Sequence, residues 1–135
     1  MKKIIFLVLI FTLSLLFIAC KASPNKVSDV ETFESLFYGA IKYDIRSEEE
    51  CEEGHIPSFM CMGALDKDKI INNIDLVSLD KKQNIILIGK EEDVLYIFQG
   101  LSKKGFKNMY YFEGGYEGYV NAKGEGFNPE TGCGC

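Results

Sequence analysis

The apolar positions between residues 85 and 105 predict a short buried strand that runs directly into an amphipathic helix. Ile85 to Ile88 is an unbroken apolar run, which suits a strand covered on both faces of a parallel sheet. Gly105 ends the helix, and the lysines before it suit the negative end of the helix dipole. The loop between strand and helix, residues 89–93, lies where α/β folds bind ligands. The helix itself is indicated by apolar residues at helical spacing, which are Val94, Leu95, Ile97, Phe98 and Leu101.

The rest of the chain alternates between predicted helices and strands. Ser28 with Glu31, and Ser47 with Glu50, have the spacing of capping boxes, and each pair predicts the start of a helix. The alternation implies right-handed crossovers, so the predicted fold class is α/β, a sandwich with helices on both faces of a mainly parallel central sheet. The predicted helices cover residues 28–39, 47–53, 66–79 (one helix or two short ones) and a short stretch from Tyr116, and the predicted strands cover residues 41–45, 59–62 and 108–112.

The N-terminus has the pattern of a secretory signal peptide. Two lysines precede an apolar run from Ile4 to Ala19, which is short for a membrane span of about 20 residues. The sequence Phe-Ile-Ala-Cys that ends at Cys20 is similar to the bacterial lipobox, whose cysteine becomes the lipidated first residue. Plain secretion and an uncleaved anchor are the alternatives. We expect a protein of the bacterial cell envelope that faces outside the cytoplasm, where several acyl chains on Cys20 hold it on a membrane.

The charge of the chain argues against nucleic acid as a partner. The sequence has 15 basic and 20 acidic residues, and the leader removes two of the lysines. Phosphates attract basic stripes, and none is present here. Nothing in the sequence requires a nucleotide, flavin or metal cofactor. We expect a signal peptide at residues 1–19, a lipid-anchored linker at 20–27, one domain at 28–123 and a flexible tail at 124–135.

Three segments, in order, resemble the rhodanese-like domain. The first is YDIRSEEECEEGHIPSFM at residues 43–60, with Asp-x-Arg, a short helix and Gly-His-Ile-Pro. The second is the strand, loop and helix of residues 85–106. The third runs from Gly-Phe-Lys-Asn at 105–108 to Phe-Glu-Gly-Gly at 112–115. Together they cover nearly all of residues 27–120, and the resemblance implies the rhodanese-like three-layer α/β/α fold.

The motif residues that carry this resemblance have structural explanations. Asp44 and Arg46 at a strand end can satisfy loop amides and pair with nearby carboxylates such as Glu50. His55 is the only histidine, and we expect it to be hydrogen-bonded and to order the turn at the proline that follows. The pair Gly114 and Gly115 suits a tight turn that side chains would obstruct.

The resemblance also implies that the family nucleophile is absent. Active members begin the loop after the central strand with a cysteine that carries a persulfide, stabilised by amides at the next helix N-terminus. Here that position is Gly89, or Ile88 if the gap in this apparently shorter loop is placed otherwise. The residues that follow are acidic apart from one cation, and would repel thiosulfate, although they also suit a helix start. They are Lys90, Glu91, Glu92 and Asp93.

Four cysteines remain besides Cys20. For Cys51 and Cys61 the sequence leaves three states open, which are inert packing, a disulfide and a reactive site. Cys133 and Cys135, separated by one glycine, can be simply oxidised, exchange thiols or receive sulfur, and two ligands without a histidine make a poor metal site.

Three functions follow from these observations. The favoured one is a membrane-anchored, rhodanese-like binding or accessory module without sulfurtransferase activity. Its protein partner would dock at the active-loop face, residues 90–93, or at the tyrosines 110, 111 and 116. The second is a sulfur or thiol-disulfide carrier that uses Cys133 and Cys135. The third is a structural envelope lipoprotein stabilised by disulfides.

Overall fold

The structure, a computed structural model, describes residues 23–132 and contains a five-stranded sheet with helices on both faces. The strand order is β1-β5-β4-β2-β3, and every pair is parallel. This confirms the predicted α/β sandwich. The elements are β1 (Asn25–Val27), α1 (Val30–Ser35), β2 (Ile41–Asp44), α2 (Glu48–Glu53), β3 (Met60–Cys61), α3 (Lys67–Val77), β4 (Ile85–Ile88), α4 (Glu91–Lys103), β5 (Met109–Phe112), α5 (Gly115–Lys123) and a 3₁₀ turn (Gly124–Gly126).

Strand β4 divides the core into two layers. It lies between β2 and β5, with Ile85 in register with Ile41 and Met109, and all four of its residues are buried. Ile85 and Leu87 pack on the side of α3 and α4, whereas the other two pack on the side of α1 and α5. A fully buried aliphatic side chain contributes about 1.5–3 kcal/mol, so this unbroken apolar run fixes the strand at the centre of the fold.

The helix starts follow local capping signals, with one correction. The capping box between Ser47 and Glu50 is confirmed at the start of α2, with the Glu50 amide 3.2 Å from the Ser47 hydroxyl. The predicted box at Ser28 is wrong by one residue. Asp29 caps α1 instead, because its carboxylate accepts from the Thr32 amide at 2.8 Å. Residues 67–77 form one helix, and α1 ends at Ser35, four residues before Gly39.

Two segments outside the predicted domain belong to the fold. Residues 25–27, expected to be part of the linker, form the edge strand β1, and Asn25 also donates to the Met109 carbonyl at 3.2 Å. Residues 124–132, expected to be mobile, pack on the domain, where the Phe127 ring meets the ring of Tyr119. Both segments are ordered by contacts with distant residues, so neither shows a local pattern.

Some expectations concern residues outside the described part of the chain. The lipidated Cys20 and the tail cysteines Cys133 and Cys135 are among them. Within residues 23–132, no helix is long and apolar enough to cross a membrane.

Candidate functional site

The loop after β4 forms one wall of a cavity at the carboxyl edge of the sheet. Gly89 and Lys90 join β4 to α4, and α4 starts at Glu91 without a side-chain cap. The cavity has a volume of about 710 Å³, within the roughly 300–1,000 Å³ typical of ligand pockets. Its other walls are the start of α2 and the turn at Gly114 and Gly115. This is the place at which the sequence predicted a site.

The side chain of Ile45 occupies the space beside Gly89. A Cβ atom on residue 89 would lie 2.5 Å from Cγ1 and 3.1 Å from Cδ1 of Ile45. The Ile45 amide donates to the Ile88 carbonyl at 2.8 Å, which extends the pairing of β2 with β4 by one bond and fixes this contact. The alternative nucleophile position, Ile88, is 1% exposed and belongs to the core. Neither position therefore presents a side chain to the cavity.

The glycine pair closes the floor of the site. Gly114 and Gly115 have φ angles of +78° and +65°, which side chains rarely adopt. A Cβ atom on Gly115 would lie 3.0 Å from the Gly89 carbonyl oxygen. The turn after β5 therefore lies directly against the backbone of the loop, as the predicted tight turn requires.

Cations from outside the loop neutralise two of its three carboxylates. Glu91 contacts Lys26 of β1 at 3.0 Å and accepts from the Tyr111 hydroxyl at 3.0 Å. These hydrogen bonds, with that from Lys26 the stronger, lower the pKa of Glu91 below its ordinary value. Asp93 pairs with Lys67 at 2.8 Å. The acidic first turn of α4 thus also ties the loop to β1 and α3, which the sequence did not indicate.

Three other exposed carboxylates border the cavity, and we refer to them as the acidic rim. They are Glu50 and Glu53 of α2 and Glu117 of α5. The hydroxyl and amide of Ser47 donate to Glu50 and lower its pKa, so Glu50 is ionised near neutral pH. Among the residues that the structure describes, two cations line the cavity. Lys90 is exposed, whereas an arginine is paired with a buried carboxylate.

That arginine, Arg46, forms a buried bidentate pair with Asp44. Its Nε lies 3.0 Å from one carboxylate oxygen and its Nη2 lies 2.6 Å from the other, and Asp44 is 0% exposed. Nη2 also donates to the Gly54 carbonyl at 2.7 Å, and the guanidinium lies 3.7 Å from the Tyr116 ring centroid. The expected pairing with Glu50 is replaced by this one. Arg46 thereby joins the ends of β2 and α2 to the start of α5.

A disulfide links Cys51 of α2 to Cys61 of β3, with the two Cα atoms 5.8 Å apart. Of the three states that the sequence left open, the structure has the disulfide. His55 lies beside it, 1% exposed, with Nδ1 2.8 Å from the Cys51 carbonyl oxygen and 3.8 Å from the Cys61 sulfur. Its Nε2 lies 3.4 Å from a carboxylate oxygen of Glu130. Sequence reasoning missed Glu130, which lies in the supposedly mobile tail.

The fold and the site together define the class of protein. A parallel sheet with helices on both faces, and a glycine-bounded loop after its central strand, make an α/β protein with its site at the carboxyl edge. The family model of the rhodanese-like domain matches residues 37–122. The chain belongs to the rhodanese-like domain family, as its three motif segments predicted.

Solved structures share this fold. A crystal structure of an Anabaena sp. protein has a TM-score of 0.60 at 22% identity and covers 77% of this chain and 81% of that one. The NMR structure of the rhodanese-like domain of that protein has a TM-score of 0.58 at 22% identity and covers 77% of each chain. A crystal structure of a Bacillus halodurans protein has a TM-score of 0.56 at 20% identity, covering 82% of this chain and 77% of that one. At such identities these likenesses establish the fold alone. None of the curated proteins compared with the chain matches it.

Proposed function

We propose that this protein is a rhodanese-like module without sulfurtransferase activity, anchored to a membrane outside the cytoplasm by a lipid on Cys20, and that it binds a positively charged protein partner. The observation that carries the proposal is the contact between Ile45 and Gly89. The loop is packed shut at the position where the family places its sulfur carrier. A rebuilt loop of this kind suits a surface for binding better than a site for covalent chemistry.

The charges around the loop oppose the chemistry of the family. Sulfur transfer requires a cradle that welcomes an anionic donor and an anionic persulfide. Here the amide-rich first turn of α4 already carries Glu91, Glu92 and Asp93. Because Lys26 and Lys67 pair with Glu91 and Asp93, the remaining negative charge at the loop comes from Glu92 and the acidic rim. Thiosulfate would therefore meet repulsion even if a thiol were present.

The acidic rim supports the choice of a cationic partner. Glu50, Glu53 and Glu117 are exposed around the cavity, and Lys90 is the exposed cation among the described residues that line it. A lysine or arginine side chain inserted into the cavity would meet several carboxylates at once. Complementary charge of this kind raises association rates and specificity and weakens with added salt.

The strand β1 limits how far the domain can lie from its anchor. Because residues 25–27 are in the sheet, only residues 20–24 would connect the lipid to the fold. Five peptide units span at most about 17 Å when fully extended. The proposed module would work at the membrane surface, so its partner would be a membrane protein or one held close to the membrane.

The first test asks whether the protein takes up sulfur. The purified full-length protein, in detergent micelles, is incubated with thiosulfate, alkylated and weighed by intact mass spectrometry. We expect no gain of one sulfur atom and no thiocyanate when cyanide is added. A sulfur on Cys51 or Cys61 would contradict the proposal, and a sulfur on Cys133 or Cys135 would favour a carrier that uses the tail.

The second test asks whether the acidic rim binds a partner. A photo-crosslinking residue replaces Lys90 in cells that make the lipidated protein, and cross-linked species are identified after irradiation. We expect Glu53→Gln/Glu117→Gln to remove the major species. The matched control is Glu31→Gln/Glu125→Gln, which neutralises two exposed carboxylates outside the cavity and should leave it intact. Cross-linking that survives the rim substitutions would refute the assigned surface.

A further inference from the structure

The two sulfurs of the Cys51–Cys61 disulfide differ in accessibility. Cys51 is fully buried on the inner side of α2, whereas Cys61 is partly exposed. Cys61 belongs to β3, which is one of the two edge strands of the described sheet and pairs only with β2. Of the two cysteines, Cys61 is therefore the one that a thiolate from solvent can approach.

His55 is held with a proton donor beside both sulfurs. The Cys51 carbonyl can only accept, so the contact at 2.8 Å places a proton on Nδ1 of His55. The same nitrogen is 3.8 Å from the Cys61 sulfur. Nδ1 or Nε2 and the two sulfurs all lie within 4.8 Å of one another. In the oxidised protein the sulfurs are bonded to each other, so this cluster holds a disulfide and not a metal.

Glu130 fixes the orientation of that ring. Its backbone exchanges two hydrogen bonds with His55, of 2.9 and 3.0 Å, and its carboxylate lies 3.4 Å from Nε2. The same carboxylate oxygen accepts from the Ser58 amide at 3.2 Å. Ser58 has a φ of +73° in the turn before β3, a conformation that costs energy for a residue with a side chain. The imidazole is thus supported from the side opposite to the sulfurs.

We propose that Cys51–Cys61 is an exchange-active disulfide whose substrates are dithiols. A substrate thiolate attacks the Cys61 sulfur, the bond between the two protein sulfurs breaks, and Cys51 leaves as a thiolate. The second thiolate of the substrate then attacks the substrate sulfur of this mixed disulfide and releases Cys61. The dithiol becomes a cyclic disulfide, two electrons pass to the protein, and the two protons of the dithiol end on Cys51 and Cys61.

In this reaction His55 stabilises the leaving groups. Both steps expel a protein thiolate close to the ring. The Nδ1–H, which the Cys51 carbonyl also accepts, lies within hydrogen-bond distance of the Cys61 sulfur and lowers the energy of a sulfur anion there. His55 is therefore the catalytic residue of the exchange, and Glu130 is a positioning residue that acts through it. The activity is independent of the acidic rim, so either proposal can fail alone.

The dithiol can come from the chain itself or from another protein. The Gly132 amide donates to the Glu52 carbonyl at 2.7 Å, so the chain returns to the residue next to Cys51. Cys133 follows directly, and Cys135 is three residues beyond Gly132, a span of at most about 11 Å. An external protein dithiol uses the same chemistry at Cys61.

The decisive experiment needs no variant. The native full-length protein is incubated with glutathione, quenched in acid, alkylated and mapped. We expect a glutathione adduct on Cys61 and a free thiol on Cys51. An adduct on Cys51 would refute the assignment of the attacked sulfur. Reaction only after denaturation would refute the proposal and leave a structural disulfide.

Variants then test the role of the ring, with dithiothreitol as the dithiol. We expect His55→Leu to slow reduction by tenfold or more and His55→Asn, whose amide N–H can replace Nδ1–H, to restore most of the rate. Glu130→Gln should change the pH profile of the rate. Equal rates for Leu and Asn variants of unchanged folding would refute the role of His55.

The source of the dithiol is found by adding one equivalent of dithiothreitol to the oxidised protein and mapping the disulfides. A bond between Cys61 and Cys133 or Cys135, absent in Cys133→Ser/Cys135→Ser, assigns the tail as the substrate. Reduction of the Cys51–Cys61 disulfide without such a bond assigns an external dithiol. A Cys51–Cys61 disulfide that dithiothreitol leaves intact in the native protein would overturn the exchange activity itself.

Discussion

Restoring the family nucleophile should destabilise this protein without activating it. In Gly89→Cys the new Cβ would lie 2.5 Å from Cγ1 of Ile45, where ordinary contact begins at 3.4 Å. Ile45 must therefore change rotamer or the loop must shift by a comparable distance. The backbone conformation is not the obstacle, because Gly89 is not among the positive-φ glycines. The expected destabilisation therefore comes from a steric clash between the new side chain at position 89 and the side chain of Ile45.

The expected cost follows from overpacking. Inserting atoms into a packed site costs about 1–3 kcal/mol, and the partial exposure of Ile45 allows some escape, so we expect about 1–2 kcal/mol. Ile45→Ala removes the obstruction. The double variant Gly89→Cys/Ile45→Ala should be more stable than the sum of the single effects predicts, by about 1 kcal/mol, as expected for residues in contact. Gly126→Cys is the matched control, because a Cβ there meets nothing within 4 Å.

Two assays decide the outcome. Urea unfolding gives the free energy of each variant, and thiocyanate formation from thiosulfate and cyanide gives the sulfurtransferase rate. We expect Gly89→Cys to be destabilised and inactive, and detectable sulfur loading only in the double variant. If Gly89→Cys instead keeps the stability of the unmodified protein and turns over thiosulfate, Ile45 does not close the site, and the argument for a non-catalytic module fails.

Three further measurements test the framework. Arg46→Met should lower the free energy of unfolding by about 3–5 kcal/mol because Asp44 keeps an unpaired buried charge, and urea unfolding of Asp44→Asn/Arg46→Met should show partial recovery. Cys51→Ala/Cys61→Ala should lower the free energy of unfolding by about 2.7 kcal/mol, which is the chain entropy that the disulfide removes from the unfolded state at a sequence separation of 10. Any loss of packing at the two cysteines would add to this value. Burial raises the pKa of Glu34, but hydrogen bonds from Lys123 and Tyr119 outweigh burial, so the net pKa lies below its ordinary value of 4.5. The stability that these bonds supply should therefore be lost as the pH falls below 4.5. Melting curves recorded over this pH range should show a smaller loss in Glu34→Gln.

The elements with local signals were predictable from the sequence. The four-residue apolar run of β4 and the helical spacing of α4 are complete within one window of the chain. The capping box of α2 needs only Ser47 and Glu50. Motifs of the family then gave the order of these elements, because each motif is a short string with its own turn chemistry.

The site depends on contacts that no local pattern contains. Gly89 is filled by Ile45, which is 44 residues earlier, and Lys26 of a three-residue strand neutralises Glu91. Strand β1 is too short for a periodic signal, and its position is set by pairing with β5. The sequence therefore shows a glycine at the expected nucleophile position but not the side chain that lies beside it. The sequence also did not indicate that Lys26 and Lys67 would pair with two of the carboxylates of the loop.

The pairing of the cysteines also depends on contacts between residues that are distant in the sequence. The four cysteines other than Cys20 allowed three connectivities, and nothing in their spacing chose among them. The choice is made by the parallel pairing of β2 with β3, which brings Cys61 beneath α2. Glu130 reaches His55 only because the chain after α5 returns across the end of α2.

Helix α2 carries residues of both proposed functions, namely the exchange-active disulfide and the acidic rim. The helix has six residues, of which only Cys51 is buried, and it carries Glu50 and Glu53 of the acidic rim. An isolated helix of this length is unstable, so its link to β3 contributes much of its order.

Reduction of the disulfide should therefore loosen the rim and weaken partner binding. We expect the cross-linked species at Lys90 to decrease when the protein is reduced, and to decrease equally in Cys51→Ala/Cys61→Ala whatever the redox conditions. The Arg46 bond to the Gly54 carbonyl, at 2.7 Å, does not depend on the disulfide, so we expect it to hold the far end of α2 after reduction and the loss of binding to be partial. Cross-linking that is identical in the oxidised, reduced and cysteine-free proteins would separate the two functions and refute the coupling.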